Sequence, residues 1–510
     1  MRIMGISNKT TSRMAVALFA AAVVHAAPRP NVVWIFSDDH SFQAIGAYGS
    51  RLAKLNPTPN IDRLAREGMR FDRAYVANSL CGPSRATLLT GKFNHLCGKP
   101  DNSGSTFDTR QRQFQMILRA KGYQTALIGK IHLPGKMHGF DYWEVLPGQG
   151  QYENPNFLTE RGKTKYEGYV SDVITDRAIR WLETDRDPKK PFMLMVHHKA
   201  PHRNWMPKAE LMGLYAETEI PEPPTLFDDY STRTESAHEA EMRVGADLLM
   251  EYDLKVGGKY ADDPRFSRRN AYFESHRLEG KALTRWKYQI YMKDYLRCVR
   301  SVDESVGRIM RELNKLGLAS NTIVMYSSDQ GFFNGEHGWF DKRFMYEEAF
   351  RTPLIAWWPG HVPAGSVNDD LVQNVDFAET FLDLADAPIP ADMQGRSLKP
   401  LLFGQTPADW RKSLYYHYYE YPLSHRVHRQ EGVATRRYKL IRFYGDGLPE
   451  GGEWELYDLE KDPLETNNVC GNPEYAKTAG DLKQELARLR AKYKVPPDEE
   501  VFERFGSRRK

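Results

Sequence analysis

Several short segments of this 510-residue chain carry side chains whose types and spacing could do chemistry together. The first is Ser79-Leu80-Cys81-Gly82-Pro83-Ser84-Arg85-Ala86-Thr87-Leu88-Leu89-Thr90-Gly91. Pro83 suits the first turn of a helix, where no backbone N–H is needed, so Cys81 is expected at a helix N-terminus. The free N–H groups and partial positive charge of that end favour an anion. Arg85 would lie one turn along and steady the oxygens of a nucleophile at position 81 by charge-assisted hydrogen bonds. The pairs Asp38-Asp39 and Asp329-Gln330 each stand one or two serines after an apolar run. Their hard oxygens suit Ca²⁺ or Mg²⁺ better than zinc or copper. Lys130, His132, His202 and Lys342 add candidate cations and proton carriers. Taken singly, each has a plain reading: Cys81 as a buried structural thiol, Asp38-Asp39 as a solvated turn, a lone Lys or His as a surface or core group.

The Cys81 segment resembles the maturation motif of the type I sulfatases, Cys-x-Pro-Ser-Arg followed by an apolar pair, Thr and Gly, and every specified position matches. In that family a separate maturing enzyme oxidises the Cys to formylglycine, whose hydrate is the nucleophile. The resemblance implies the same for Cys81. It also implies that Asp38, Asp39, residue 81, Asp329 and Gln330 hold one divalent metal, calcium with magnesium as the alternative. Relatives often carry Asn or His where Gln330 stands. An unmodified Cys81 would be a soft ligand in a hard-oxygen site, which favours the oxidised form. The stretch from Gly122 to His132 resembles the second sulfatase motif, with Ile131 where an aromatic residue is usual, so Lys130 and His132 carry over. Pro201-His202 resembles the family's sulfate-contacting His. Lys342, in Gly338-Trp339-Phe340-Asp341-Lys342-Arg343, resembles the Lys on the leaving side of the ester. The role implied for His202 or Lys342 is protonation of the leaving oxygen, and for His132 assistance in expelling sulfate. The resemblance covers residues 30 to 470 and implies the α/β fold of the alkaline phosphatase superfamily: a helix–sheet–helix sandwich with a large mixed sheet, plus a smaller C-terminal α+β subdomain.

Within that family the chain looks most like the bacterial glycan sulfatases grouped with N-acetylglucosamine-6-sulfatases. The implied substrate is a sulfated glycan, with a 6-O-sulfate favoured. His198 and Arg203, in His198-Lys199-Ala200-Pro201-His202-Arg203-Asn204-Trp205, are candidate substrate-binding residues. So are His425 and Arg426, in the stretch from Tyr418 to Arg426. The closest rival is a phosphate or phosphonate ester hydrolase on the same scaffold, which this motif does not separate. A catalytically silent glycan-binding protein is a second rival, against which the complete motif set argues. A plain cysteine hydrolase would need a Cys–His pair, which no sequence window suggests.

The elements that must position these residues are legible as strands ending in polar groups. Val32 to Phe36 is a continuous apolar run, as in a strand buried on both faces, and it ends in Ser37-Asp38-Asp39-His40. Thr125 to Ile128 ends in Gly129-Lys130, Phe192 to Val196 in His197-His198, and Thr322 to Tyr326 in Ser327-Ser328-Asp329-Gln330. In open α/β sheets that edge binds ligands. Ile61 to Gly68 is expected to be helical. So is the stretch from Trp286 to Leu316, where Val299, Val302, Val306, Ile309, Leu313 and Leu316 recur at three- and four-residue spacing. Residues 203 to 283 are polar, with Pro-Glu-Pro-Pro at 221 to 224, and read as a long insertion over the sheet edge. A helix is expected around Phe377 to Leu384. The C-terminal unit should contain strands over 414–419, 438–444 and 453–459 and a closing helix over 475–493.

The expected division is a signal peptide over 1–26, a catalytic domain over 27–408 and the C-terminal subdomain over 409–510. Arg2, Lys9 and Arg13 precede a short apolar run, Met14 to Val24, and a small-residue cleavage site follows at Val24-His25-Ala26. That run is too short to span a bilayer, so export to the periplasm or beyond is expected, with no membrane span. Without residues 1–26, which hold three basic and no acidic groups, the formal charge falls from +4 to +1. A balanced chain gives no electrostatic reason to bind nucleic acid. Four cysteines, with Cys81 committed, leave room for one disulfide at most.

Overall fold

The structure, a computed structural model, describes residues 29–103 and 107–505; the expected signal peptide lies outside them. The run Val32 to Phe36 lies in the strand Asn31–Ser37, buried at every position. Val33 and Ile35 join one apolar layer, while Val32, Trp34 and Phe36 join the other. That is the alternation of a pleated strand covered on both faces. Thr322–Ser328 and Phe192–His197 flank it, both parallel to it. Gln124–Lys130 pairs in parallel with Phe192–His197.

The full sheet has ten strands. In spatial order they are Ser366–Asn368, Met69–Phe71, Leu354–Trp357, Thr322–Ser328, Asn31–Ser37, Phe192–His197, Gln124–Lys130, Tyr142–Leu146, Asn156–Thr159 and Gly162–Lys165. Leu354–Trp357, Asn156–Thr159 and Gly162–Lys165 run antiparallel to their neighbours, so the sheet is mixed. The four central strands are parallel. Asp38, Lys130, His198 and Asp329 therefore emerge along one edge.

Helices cover both faces, as expected for a helix–sheet–helix sandwich. Pro59–Glu67, Val170–Arg180 and Gly280–Lys315 bury Ile61, Leu64, Val173, Ile174, Val299, Val302, Val306, Ile309 and Leu313 in one layer. Cys81–Thr90, Phe114–Ala120 and Phe377–Leu384 bury Leu88, Leu89, Phe114, Leu118, Phe377 and Phe381 in the other. Each such side chain contributes about 1.5–3 kcal/mol by leaving water. The long helix begins at Gly280, six residues before the expected start, because its first turns lie outside the apolar stripe that marks the rest.

Residues 203 to 283 are mostly turns, with the short helices Glu235–Glu239 and Ser267–His276. They are less purely polar in place than in sequence. Trp205, Ile220, Leu226, Met242, Leu248 and Leu254 are buried in the main core and pin the insertion down.

A second, antiparallel sheet is formed by Leu414–Tyr418, Arg429–Ala434, Tyr438–Tyr444 and Glu453–Asp458. Tyr415, Val433, Leu440 and Leu456 meet Ala479, Leu482, Leu486 and Leu489 of the helix Ala476–Lys492. Tyr416, Tyr418, Ile441, Phe443 and Tyr457, on the opposite face, join the main core. Arg429–Ala434 was not expected as a strand. Its charged sequence is sustained by ion pairs from Glu431 to Arg442 and Arg490. All four cysteines are free thiols.

Candidate active site

Cys81 is the first residue of the helix Cys81–Thr90, all ten of whose residues are buried. The helix ends at Gly91, in the left-handed region at φ 64°, whose N–H donates to the Thr87 carbonyl at 2.8 Å. Ser84 donates to the Asp329 carbonyl and accepts from Asn374 Nδ2 at 2.8 Å, fixing the helix against the Asp329 loop. Gly129 precedes Lys130 with φ 110°, and a Cβ there would lie 1.9 Å from the His197 carbonyl. Only glycine lets these two strands approach while delivering Lys130 to the edge.

The edge residues converge. Asp39 N donates to Asp329 Oδ1 at 3.0 Å, and Gln330 Nε2 donates to Asp39 Oδ1. Lys342 Nζ lies 2.8 and 2.9 Å from the two Asp39 oxygens. His202 Nε2 is 3.7 Å from Asp39 Oδ2, and its Nδ1 is 2.6 Å from the Arg203 carbonyl. Lys130 Nζ faces Asp38 Oδ2 and Gln149 Oε1. His132 Nδ1 is 3.1 Å from Cys81 Sγ. Asp39, His132, Asp341, Arg343 and His425 all have φ between 54° and 76°, or 89° for Arg343. Such backbone costs about 1–3 kcal/mol per residue and gathers where a site dictates side-chain placement.

Three of the candidate residues take partners that the sequence did not announce. Arg85 binds Asp329 Oδ2 at 3.0–3.1 Å and the Lys130 carbonyl at 2.7 Å, so it steadies an acidic group of the site. His198 is fully buried, with Nε2 at 2.9 Å from Ser305 Oγ of the long helix, and offers nothing to a substrate. Arg426 is an exposed residue paired with Glu239 and Glu241. Of the other substrate-binding candidates, His425 Nε2 lies 3.4 Å from Asp341 Oδ2, next to Lys342. Arg203 makes a bidentate pair with Asp253 at 2.6 and 2.7 Å and lines a cleft of about 320 Å³ beside His202. Lys199, from the quoted His198–Trp205 segment, shares that cleft, as do Gln149, Tyr152 and Tyr252, which the sequence did not single out because none stands in a recognisable motif. A larger cavity, about 700 Å³, lined by Phe42, Glu348, Arg351 and Leu464, holds none of these residues.

Burial sets the electrostatics. It raises the Asp39 carboxyl to about 7, with Lys342 pulling down and Asp329 and Asp341 pushing up. Lys342 is held above its ordinary value, because Asp39 and Asp341 outweigh its burial. Burial lowers Lys130 well below the usual amine range, and lowers His132 to about 2 with help from Lys130 and Arg85. It raises the Cys81 thiol, so the close Cys81–His132 pair is a neutral thiol beside a neutral imidazole. That is the wrong charge state for a thiolate nucleophile and counts against a cysteine hydrolase.

The acidic cluster fits a hard divalent cation. Neither Asp38 carboxylate oxygen has a hydrogen bond of normal geometry, and the buried Gln330 Oε1 accepts none. Asp39 accepts from Gln330 Nε2. Among the described residues, Asp38, Asp39 and His202 also bring candidate ligand atoms within 4.8 Å of one another. Buried oxygens left without hydrogen bonds, grouped with carboxylates, make a donor set suited to a hard cation. A hard cation prefers the oxygen set to the softer imidazole.

A family model described as Sulfatase matches residues 30–387. The chain belongs to the sulfatase family. A second family model, N-sulphoglucosamine sulphohydrolase, C-terminal, matches residues 335–492. The chain is 47% identical to an N-acetylglucosamine-6-O-sulfatase of Bacteroides thetaiotaomicron, across 94% of this chain and 90% of that one. It is 25% identical to an arylsulfatase of Clostridium perfringens, across 90% and 94%. A solved structure in complex with its substrate D-glucosamine-2-N,6-O-disulfate superposes with TM-score 0.88 and 47% identity, covering 92% of this chain and all of that one. A phosphonate monoester hydrolase from Silicibacter pomeroyi shares the fold, with TM-score 0.72 at 21% identity over 91% and 96%. Sulfate ester hydrolysis is thus the chemistry of this chain. No helix among the described residues is long and apolar enough to cross a membrane.

Proposed function

We propose that this sulfatase removes the 6-O-sulfate from a glucosamine-type sugar of a sulfated glycan. The observation that carries this reading is the 47% identity, over nearly the whole chain, to an N-acetylglucosamine-6-O-sulfatase. The relative solved with D-glucosamine-2-N,6-O-disulfate supports the same sugar. Residues 1–26 act as the export signal, and a formylglycine-generating enzyme is a transient partner. Residues 27–408 form the catalytic domain and 409–510 the C-terminal subdomain.

In this reading Asp38, Asp39, Asp329 and Gln330 hold calcium, which when bound balances the carboxylates and draws in an anionic sulfate. Formylglycine at position 81, hydrated, supplies the nucleophilic hydroxyl. Lys130, His202 and Lys342 grip the sulfate and spread the charge that develops on its oxygens. Lys342 is the group to protonate the leaving sugar oxygen. Its pKa is raised, so it carries the proton, whereas His202 commits Nδ1 to the Arg203 carbonyl. His132, neutral and 3.1 Å from Sγ of residue 81, hydrogen-bonds the nucleophilic group and assists as sulfate is expelled. Asp341, Arg343 and His425, beside Lys342, offer donors and acceptors for sugar hydroxyls, and Arg203 and Lys199 line the approach.

The test is a substrate panel on protein co-produced with a formylglycine-generating enzyme. N-acetylglucosamine 6-sulfate and D-glucosamine-2-N,6-O-disulfate should release inorganic sulfate. Hydrolysis of a phosphonate monoester with no sulfate release from any sugar would replace this reading with the phosphonate hydrolase one.

A further inference from the structure

Residue 81 has a second close neighbour besides His132. Asn102 Nδ2 donates to Cys81 Sγ at 3.4 Å, while Asn102 Oδ1 is buried and accepts no hydrogen bond. We propose that Asn102 is a further catalytic residue that orients the reacting group at position 81, and that Glu420 is the positioning residue that holds Asn102 there. This rests on the reading of residue 81 as the nucleophile.

Asn102 fits the oxidised residue better than the thiol. Sγ stands where a hydrated aldehyde carries one of its two hydroxyls, the other sharing the same carbon. A thiol satisfies the amide's N–H and leaves Oδ1 orphaned. A pair of hydroxyls takes the N–H on one oxygen's lone pair and gives an O–H to Oδ1, so both ends of the amide are used. A planar amide bonded at both ends fixes which hydroxyl faces the sulfur. The local sequence leaves room for it. A Cβ at Gly82 would lie 2.4 Å from Asn102 Oδ1, so any larger residue directly after the nucleophile would push the amide away.

Glu420 reaches in from the C-terminal sheet and is 5% exposed. Its Oε2 accepts from Asn102 N at 2.9 Å and its Oε1 from Arg343 Nη1 at 2.8 Å. Arg343 follows Lys342 and donates from Nε to Asp341 Oδ1 at 3.1 Å. One carboxylate thus ties the Asn102 backbone, and through it the amide beside residue 81, to the arm that carries Lys342. The lost Asn102 contact acts on the nucleophile and not on the sugar, so its removal should lower kcat on any sulfate ester.

The experiment measures kcat and KM for Asn102→Ala, Asn102→Asp, Glu420→Gln and the Asn102→Ala/Glu420→Gln double variant. The probes are N-acetylglucosamine 6-sulfate and 4-nitrophenyl sulfate, and each kcat is divided by the formylglycine fraction found by peptide mass spectrometry. Asn102→Ala should lower kcat about tenfold to hundredfold on both esters with KM within about threefold. Asn102→Asp keeps the shape, loses the donor and should fall at least as far. Glu420→Gln should lower kcat by a smaller factor and add nothing in the Asn102→Ala background, as for two residues acting through one contact. Unchanged kcat in Asn102→Ala and Asn102→Asp, or a change confined to KM on the sugar, would overturn the proposal while the wild-type reading stands. Wild-type protein that carries formylglycine yet releases no sulfate would overturn the underlying reading, and this proposal with it.

Discussion

Lys342 Nζ and the Asp39 carboxylate form a buried bidentate contact, 2.8 Å to one oxygen and 2.9 Å to the other. Two residues 303 positions apart thereby place a cation and a hard-oxygen ligand at one point of the sheet edge. Lys342→Met should lower kcat by about a hundredfold to a thousandfold on N-acetylglucosamine 6-sulfate, the scale of losing one group that meets developing charge. The loss should be smaller on 4-nitrophenyl sulfate, whose leaving group needs no proton. Equal losses on the two esters would remove the proton-donor role and leave only charge stabilisation.

Chelation should lower activity and the unfolding temperature together. A ligand bound only by the folded state stabilises it by about 2.7 kcal/mol at a hundredfold excess over its Kd. Differential scanning calorimetry with EDTA, then with added calcium, reads both the loss and the recovery. Asp38→Asn, which removes the charge of a buried carboxylate whose oxygens make no hydrogen bond of normal geometry, should shrink the calcium-dependent shift. A chelator-insensitive transition in the wild type would speak against the cation site.

Lys199 gives the cleft a pH dependence. Burial lowers its amine to about 8, and its Nζ sits 4.7 Å over the Tyr152 ring. Its positive charge is present below pH 8 and is lost as the pH rises through it. KM for a sulfated sugar should therefore climb between pH 7 and 9. Lys199→Met should show a raised KM at pH 7 and a flatter profile above it. A wild-type KM that is constant across this range would show that Lys199 does not meet the substrate.

Gly129→Ala should destabilise the fold by about 3 kcal/mol or more, since its Cβ would strike the His197 carbonyl and its φ is 110°. Gly162→Ala is the control: φ is 112°, yet nothing lies within 4 Å, so only strain of about 1 kcal/mol applies. Thermal unfolding of the two variants should separate the steric cost from the conformational one.

The strands that carry chemistry were legible because each is an apolar run with a polar terminus, and because parallel pairing puts those termini on one edge. The runs ending at Asp38, Lys130 and Asp329 are of this kind. The edge strands Asn156–Thr159 and Gly162–Lys165 and the inner strand Arg429–Ala434 were not legible, since exposure or ion pairing replaces the apolar signal there. Motif spacing singled out Cys81, Lys130, His132, His202, Lys342 and the acidic pairs, which the fold gathers in one place. It said nothing about direction. Arg85 turns to Asp329, and His198, four residues before His202, turns into the core toward Ser305. Asn102, Gln149 and Glu420 join the site through loops of ordinary composition, and only the folded chain shows them beside residue 81, Lys130 and Arg343.

The most direct test of the account is the rate of sulfate release from N-acetylglucosamine 6-sulfate, measured against the fraction of residue 81 converted to formylglycine. Conversion is read by peptide mass spectrometry as a loss of about 18 Da at Cys81, and is varied by the level of maturing enzyme supplied during expression. The account predicts a rate proportional to that fraction, with a zero intercept and no turnover in Cys81→Ala. A rate independent of conversion, or turnover retained in Cys81→Ala, would contradict it.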